Sequence, residues 1–148
     1  MIRYIRRFIL YISIIILLAL MRICILIIPF RIIAKRLTIV YTKTTTLNEH
    51  KRLGYALLIG RTISKISQKT PWQSKCLVQA LVAKILLRRF KITNNLVIGV
   101  GFDTGSEFIA HAWVDVGGIT IVGETKKNLY KSIKSFADTN SSGNCYAA

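Results

Sequence analysis

Two residues in this chain have side chains that could combine into covalent chemistry, Cys76 and His111, and two carboxylates near the histidine, Asp115 and Glu124, could support them. A thiol acts as a nucleophile when a base can take its proton and a third group holds that base in orientation. The other thiols stand in less suitable places, Cys24 inside an apolar run and Cys145 in a polar tail. The three cysteines show no paired spacing, which argues against a disulfide framework and for a reduced, cytoplasmic setting. No Cys or His pair has zinc-site spacing and His50 lies far from His111, so no metal and no cofactor are expected.

Local signals place the thiol on a helix. Thr70-Pro71-Trp72-Gln73 reads as an N-cap, an N1 proline and a capping-box Gln, with Ser74 as an alternative cap. With Ser74 as cap, Cys76 falls in the first turn, where free amides and the macrodipole favour a thiolate. The helix should run to about Phe90, apolar over most of its circumference and so central and buried. The Cys76 amide, with Trp72 or Gln73, could serve an oxyanion, although a cap and a core aromatic are the plainer roles for those two.

The imidazole belongs to a strand. Leu96 to Val100, Glu107 to Val116 and Ile119 to Val122 are rich in β-branched and aromatic residues and are separated by Asp103-Thr104-Gly105 and Gly117-Gly118, which predicts three antiparallel strands. Alternation puts His111, Trp113 and Asp115 on one strand face. Asp115 is four residues from His111, roughly 13 Å along a strand, and Glu124 stands just past the third strand. Taken singly, a helical Cys and a strand His are ordinary core residues. Asp103-Thr104-Gly105 matches an aspartic-protease triplet but falls in a hairpin connection, and Gly99-x-Gly101 reads as a tight turn because no helix follows it to hold a phosphate.

Outside these elements the chain divides into a hydrophobic basic segment over 1–37, a core over 38–138 and a polar tail over 139–148. Thr38 to Lys51 reads as a linker containing a solvated His50, Arg52 to Ile66 as an amphipathic helix, and Leu129, Ile133 and Phe136 as a last amphipathic helix. The fold class is α+β: hydrophobic N-terminal helices, then a central helix on a small antiparallel sheet.

Length fits one domain with its own core, and 52% hydrophobic residues exclude disorder. A net charge of +16 favours an anionic partner, yet the basic residues are not interleaved with stacking aromatics, so nucleic acid is not expected. The first segment lacks a small-residue cleavage site and should be retained. Each Ile or Leu contributes about −0.3 to −0.6 kcal/mol at mid-bilayer against roughly 2.5 to 3.5 for Arg22, so insertion is affordable, but basic residues at both ends give no orientation. Contact with the inner face of an anionic membrane and packing on the protein's own core are both open.

Pro71-Trp72-x-x-x-Cys76-Leu77, a buried helix, Leu96-Val97-Ile98-Gly99-Val100, and Phe108-x-x-His111-Ala112-Trp113-Val114-Asp115 together resemble the lasso-peptide B2 proteins of the transglutaminase-like cysteine protease superfamily. The resemblance spans about residues 8 to 138 and includes Pro29-Phe30-Arg31. It implies a papain-like core and a peptidase that cuts leader from core in a ribosomal lasso precursor, Cys76 attacking and His111 acting as base and then acid. It also implies a small leader-binding partner and an ATP-using cyclase of the asparagine-synthetase type. The superfamily usually carries an Asp on the strand after the histidine; Ile119 to Gly123 has none, which leaves Glu124 as the nearest acid. The competing expectation is a basic membrane-associated accessory or immunity protein in which Cys76 and His111 only pack. Acyl transfer to an amine in place of water is a third.

Overall fold

The computed structural model describes residues 2–37, 40–41, 48–69, 76–102, 107–123 and 129–140. Ile2–Ile27 form α1, which runs uninterrupted through Arg22. Pro29 sits at its end with φ −55° and ψ 132°, an extended geometry that stops one helix and starts the next, α2, Phe30–Lys35. Val40–Tyr41 form the short β1 within the expected linker. The following helix α3, Glu49–Ser67, opens earlier than its apolar pattern suggests, and His50 lies exposed in its first turn. Glu49 there faces the positive end of the helix.

Cys76–Arg89 form α4, buried on most sides as its composition requires. Asn95–Phe102, Phe108–Val116, Ile119–Val122 and Tyr130–Ala137 are β2 to β5, arranged as an antiparallel sheet in the order β4-β3-β2-β5. Thr139–Asn140, β6, pairs in parallel with β1. Gly117 and Gly118 turn β3 into β4 with φ +57° and +79°, left-handed values that two consecutive glycines adopt freely. Helices α1, α3 and α4 gather on one face of the sheet. Ile14, Leu18, Ile63, Leu81 and Leu87 share a core there with Leu96, Ala112, Val114 and Val122. Gly60 lets α3 touch the backbone of Ile121 in β4, where a Cβ would collide.

Two expectations are corrected. Leu129, Ile133 and Phe136 do not share an amphipathic α-helix: Leu129 lies in a 3₁₀ turn, and Ile133 and Phe136 lie on β5. Residues 130–137 pair antiparallel with β2, and the bulge between Ile98 and Gly99 leaves Ile133 unpaired and 59% exposed. Spacings of four and three imitated a helical stripe, whereas the unpaired N–H and C=O groups of β2 require a neighbour there. Exposed Lys131 and Lys134 then protect the new sheet edge from further pairing. Gly99 and Gly101 are likewise not in a turn; both are interior to β2.

A charged clamp fixes the far end of α4. Fully buried Lys84 gives its three donors to Asn94 Oδ1 at 3.1 Å, the Phe136 carbonyl at 2.7 Å and Asp138 Oδ1 at 3.1 Å. Asp138 also accepts from Arg88 Nη2 at 2.9 Å and Asn94 Nδ2 at 2.9 Å. Arg88 reaches on to the Arg36 and Leu37 carbonyls beyond α2. Removing the carboxylate leaves two cations together without a counter-charge, so Asp138→Ala is expected to lower the unfolding free energy by about 3–5 kcal/mol in denaturant titration. Lys84→Met should cost less, because Arg88 keeps Asp138 paired.

Burial pushes the Lys84 ammonium down from 10.5 to about 8, against the opposing pull of Asp138. Between these values the unfolded chain binds more protons than the folded one, so this group makes stability rise as pH climbs from about 8 towards 10.5. Stability measured across that window should show the rise, and Lys84→Met should flatten its share of it.

Candidate functional site

Cys76 begins α4 as described, half-buried against the core. Residues 70–75, including both candidate caps and the candidate oxyanion donors Trp72 and Gln73, lie outside the described residues, as do Asp103 to Gly105, Glu124 and Cys145.

His111 sits mid-strand in β3, opposite Gly99 of β2 and half-buried. Its Nε2 lies 2.9 Å from the carbonyl of Gly123. A carbonyl only accepts, so Nε2 carries the hydrogen and, in the neutral ring, Nδ1 is the basic nitrogen. The acceptor is placed by Gly123 itself, which leaves β4 with φ +84°. A Cβ there would lie 2.6 Å from the Ala112 carbonyl oxygen and 2.9 Å from Trp113 Cβ. Only glycine meets both demands.

Rings hold the imidazole from the sides. It stacks on Tyr130 of β5 with centroids 5.0 Å apart and on Trp113 at 6.2 Å. Contact with Tyr130 across the intervening β2 is possible because Gly99 has no side chain: a Cβ there would come within 3.0 Å of the Trp113 ring and Tyr130 Cβ. Gly101 permits a similar approach of the Leu129 backbone. The shared face of His111, Trp113 and Asp115 is thus present, and Asp115 has partners of its own, Trp113 Nε1 at 3.1 Å and Thr120 Oγ1 at 2.7 Å.

The structure therefore brings His111 together with Trp113, Gly123 and Tyr130. Among the described residues no hydrogen bond joins it to Cys76. Ala112, Val114 and Val116 point into the core shared with α4, so His111 and Trp113 occupy the other side of β3. Cys76 stands at the start of α4, eight residues from Lys84 and packed against the core face of the sheet.

Sequence reasoning missed Gly123 and Tyr130. A lone glycine between a strand and an acid gives no sign of which carbonyl it aims, and Tyr130 falls within the span 129–136 whose apolar spacing imitates a helix.

Compared with known protein families, residues 24–135 match the model described as the transglutaminase-like superfamily. No curated protein and no solved structure matches the chain.

Proposed function

Because the chain belongs to the transglutaminase-like superfamily, which includes cysteine peptidases, we propose that it is a cysteine peptidase that removes the leader from a lasso-peptide precursor. The observation that carries the catalytic part is the hydrogen bond from His111 Nε2 to Gly123, which leaves Nδ1 as the base. In this reading, which requires the start of α4 to reach round to the face of β3 that carries His111, Cys76 Sγ loses its proton to His111 and attacks the carbonyl carbon at the leader–core junction. The imidazolium returns the proton to the departing amine, and water, deprotonated by the same ring, releases the acyl group. Glu124 follows Gly123 directly, and its carboxylate would support the imidazolium. The lasso assignment rests on the sequence elements around Cys76 and His111-Ala112-Trp113.

The partners that go with this activity are a leader-binding protein and an ATP-dependent cyclase of the asparagine-synthetase type, and the setting is the cytoplasm. The test is mass spectrometry of a lasso precursor incubated with this protein and a leader-binding partner. Separate leader and core masses, with water added across the cut, are expected. An amine adduct would point to acyl transfer. An intact precursor, together with a Cys76 inert to iodoacetamide at mild pH, would leave an accessory or immunity protein in which the thiol only packs.

A further inference from the structure

From Phe8 to Ile27 helix α1 is apolar on nearly every side, Arg22 apart, yet it is covered on one side only. Ile14 and Leu18 are fully buried, and Leu10, Leu17, Met21 and Ile25 pack beside them against the core. The opposite face carries Phe8, Ile12, Ile16, Leu20, Ile23 and Leu26, exposed by 42 to 69%. Of the stretch Phe8–Ile27, with mean hydropathy 2.8, only 11% is buried. A helix lying on a water-soluble domain would turn polar residues outward on that side. Here isoleucine, leucine and phenylalanine take their place.

We infer that the outward face of α1 is a docking surface for an anionic lipid bilayer, on which the helix lies in the membrane plane. Spanning is disfavoured by the packing itself. From Leu10 to Ile25 the helix is held to the core with α3 and α4, and α3 presents Lys51, Arg61 and Lys65 to solvent, so a spanning α1 would draw those charges into hydrocarbon. An in-plane helix needs only its outer face in the acyl boundary.

The apolar surface continues beyond α1. A groove of about 790 Å³ between α1, α3 and α4 is lined by Ile9, Tyr55, Leu58, Ile85 and Phe90, with Arg89 at its side. The Tyr55 and Phe90 rings stack there, 6.4 Å between centroids, both about half exposed, and tyrosine is a residue favoured at the boundary between lipid and water.

Charge selects lipid over a second copy of the chain. The protein carries +16, α1 opens with Arg3, Arg6 and Arg7, and exposed Arg31 and Lys35 follow it in α2. Anionic headgroups are attracted to such a surface, whereas another copy brings another +16. This reading does not depend on the peptidase chemistry, and its test needs no activity.

The test uses the full chain, tagged at both ends and synthesised with vesicles of phosphatidylcholine containing a quarter phosphatidylglycerol, followed by flotation. The protein should float with these vesicles, and less with pure phosphatidylcholine or at high salt. The triple variant Ile12→Gln, Ile16→Gln, Ile23→Gln should lower the floated fraction by about tenfold and keep its circular dichroism, since all three side chains lie outside the core. Protease added outside the vesicles should remove both tags. A wild type that stays in the soluble fraction overturns the inference, as does unchanged flotation of the triple variant. A protected N-terminal tag overturns the in-plane arrangement. A dimer in light scattering that the triple substitution abolishes, without flotation, assigns the face to a second copy instead.

Discussion

Cys76→Ala is expected to end leader cleavage altogether. Without Sγ no acyl-enzyme can form, and His111 cannot substitute for it, since a base without its nucleophile has little left to activate. Removing the nucleophile from a comparable protease set lowers kcat by roughly a millionfold, because such residues act as a unit. The fold should survive. Cys76 is half-buried at the start of α4, alanine is the best helix former, and the helix is held at its other end by Lys84 and Arg88 on Asp138. Cys24→Ala and Cys145→Ala serve as controls that should retain near-normal rates. Single-turnover cleavage followed by mass spectrometry reads all three, and a Cys76→Ala protein that still separates leader from core would end the proposal.

What the sequence made legible is what local pattern determines. The turn between β3 and β4 was readable because two adjacent glycines permit little else, and the face shared by His111, Trp113 and Asp115 follows from strand alternation alone. Helix α4 was readable because its apolar residues cover most of its circumference. Strand β5 was not, because its evidence is non-local: its partner is the free edge of β2, some thirty residues earlier, and its single bulge disturbs the alternation that would have marked it. Lys84, Asn94 and Asp138 are a similar case. Each reads as a surface residue until the fold brings three separate segments into one dry cluster, where a lysine is tolerated only because all three of its donors are used. At the site, the sequence supplied an imidazole and two competing carboxylates. The backbone supplied a third acceptor, the Gly123 carbonyl, which no comparison of side chains could have suggested.

That acceptor sharpens what should follow from changing the histidine. His111→Ala is expected to lower turnover by at least about a thousandfold, since general-base assistance alone contributes about 10² to 10⁴ and a thiol paired with its base loses more. The effect on stability should be small by comparison. The ring is half-buried and contributes two stacking contacts, with Tyr130 and Trp113, of about 0.5–1.5 kcal/mol each at most, which lowers Tm by only a few degrees in a chain of this size. A large loss of stability with little loss of turnover would instead make His111 a packing residue. The carboxylates separate along the same line. Because Nε2 already donates to a main-chain oxygen, Glu124→Gln removes support for the imidazolium without releasing the tautomer, so its turnover should fall by less than that of His111→Ala. Asp115→Asn should change the rate least, since that carboxylate serves Trp113 and Thr120. Turnover and Tm measured on the three variants together decide the assignment. A defect at Asp115 that exceeds the one at Glu124 would place the orienting charge on β3, and unchanged rates at both would leave Cys76 and His111 as a dyad steered by the Gly123 carbonyl alone.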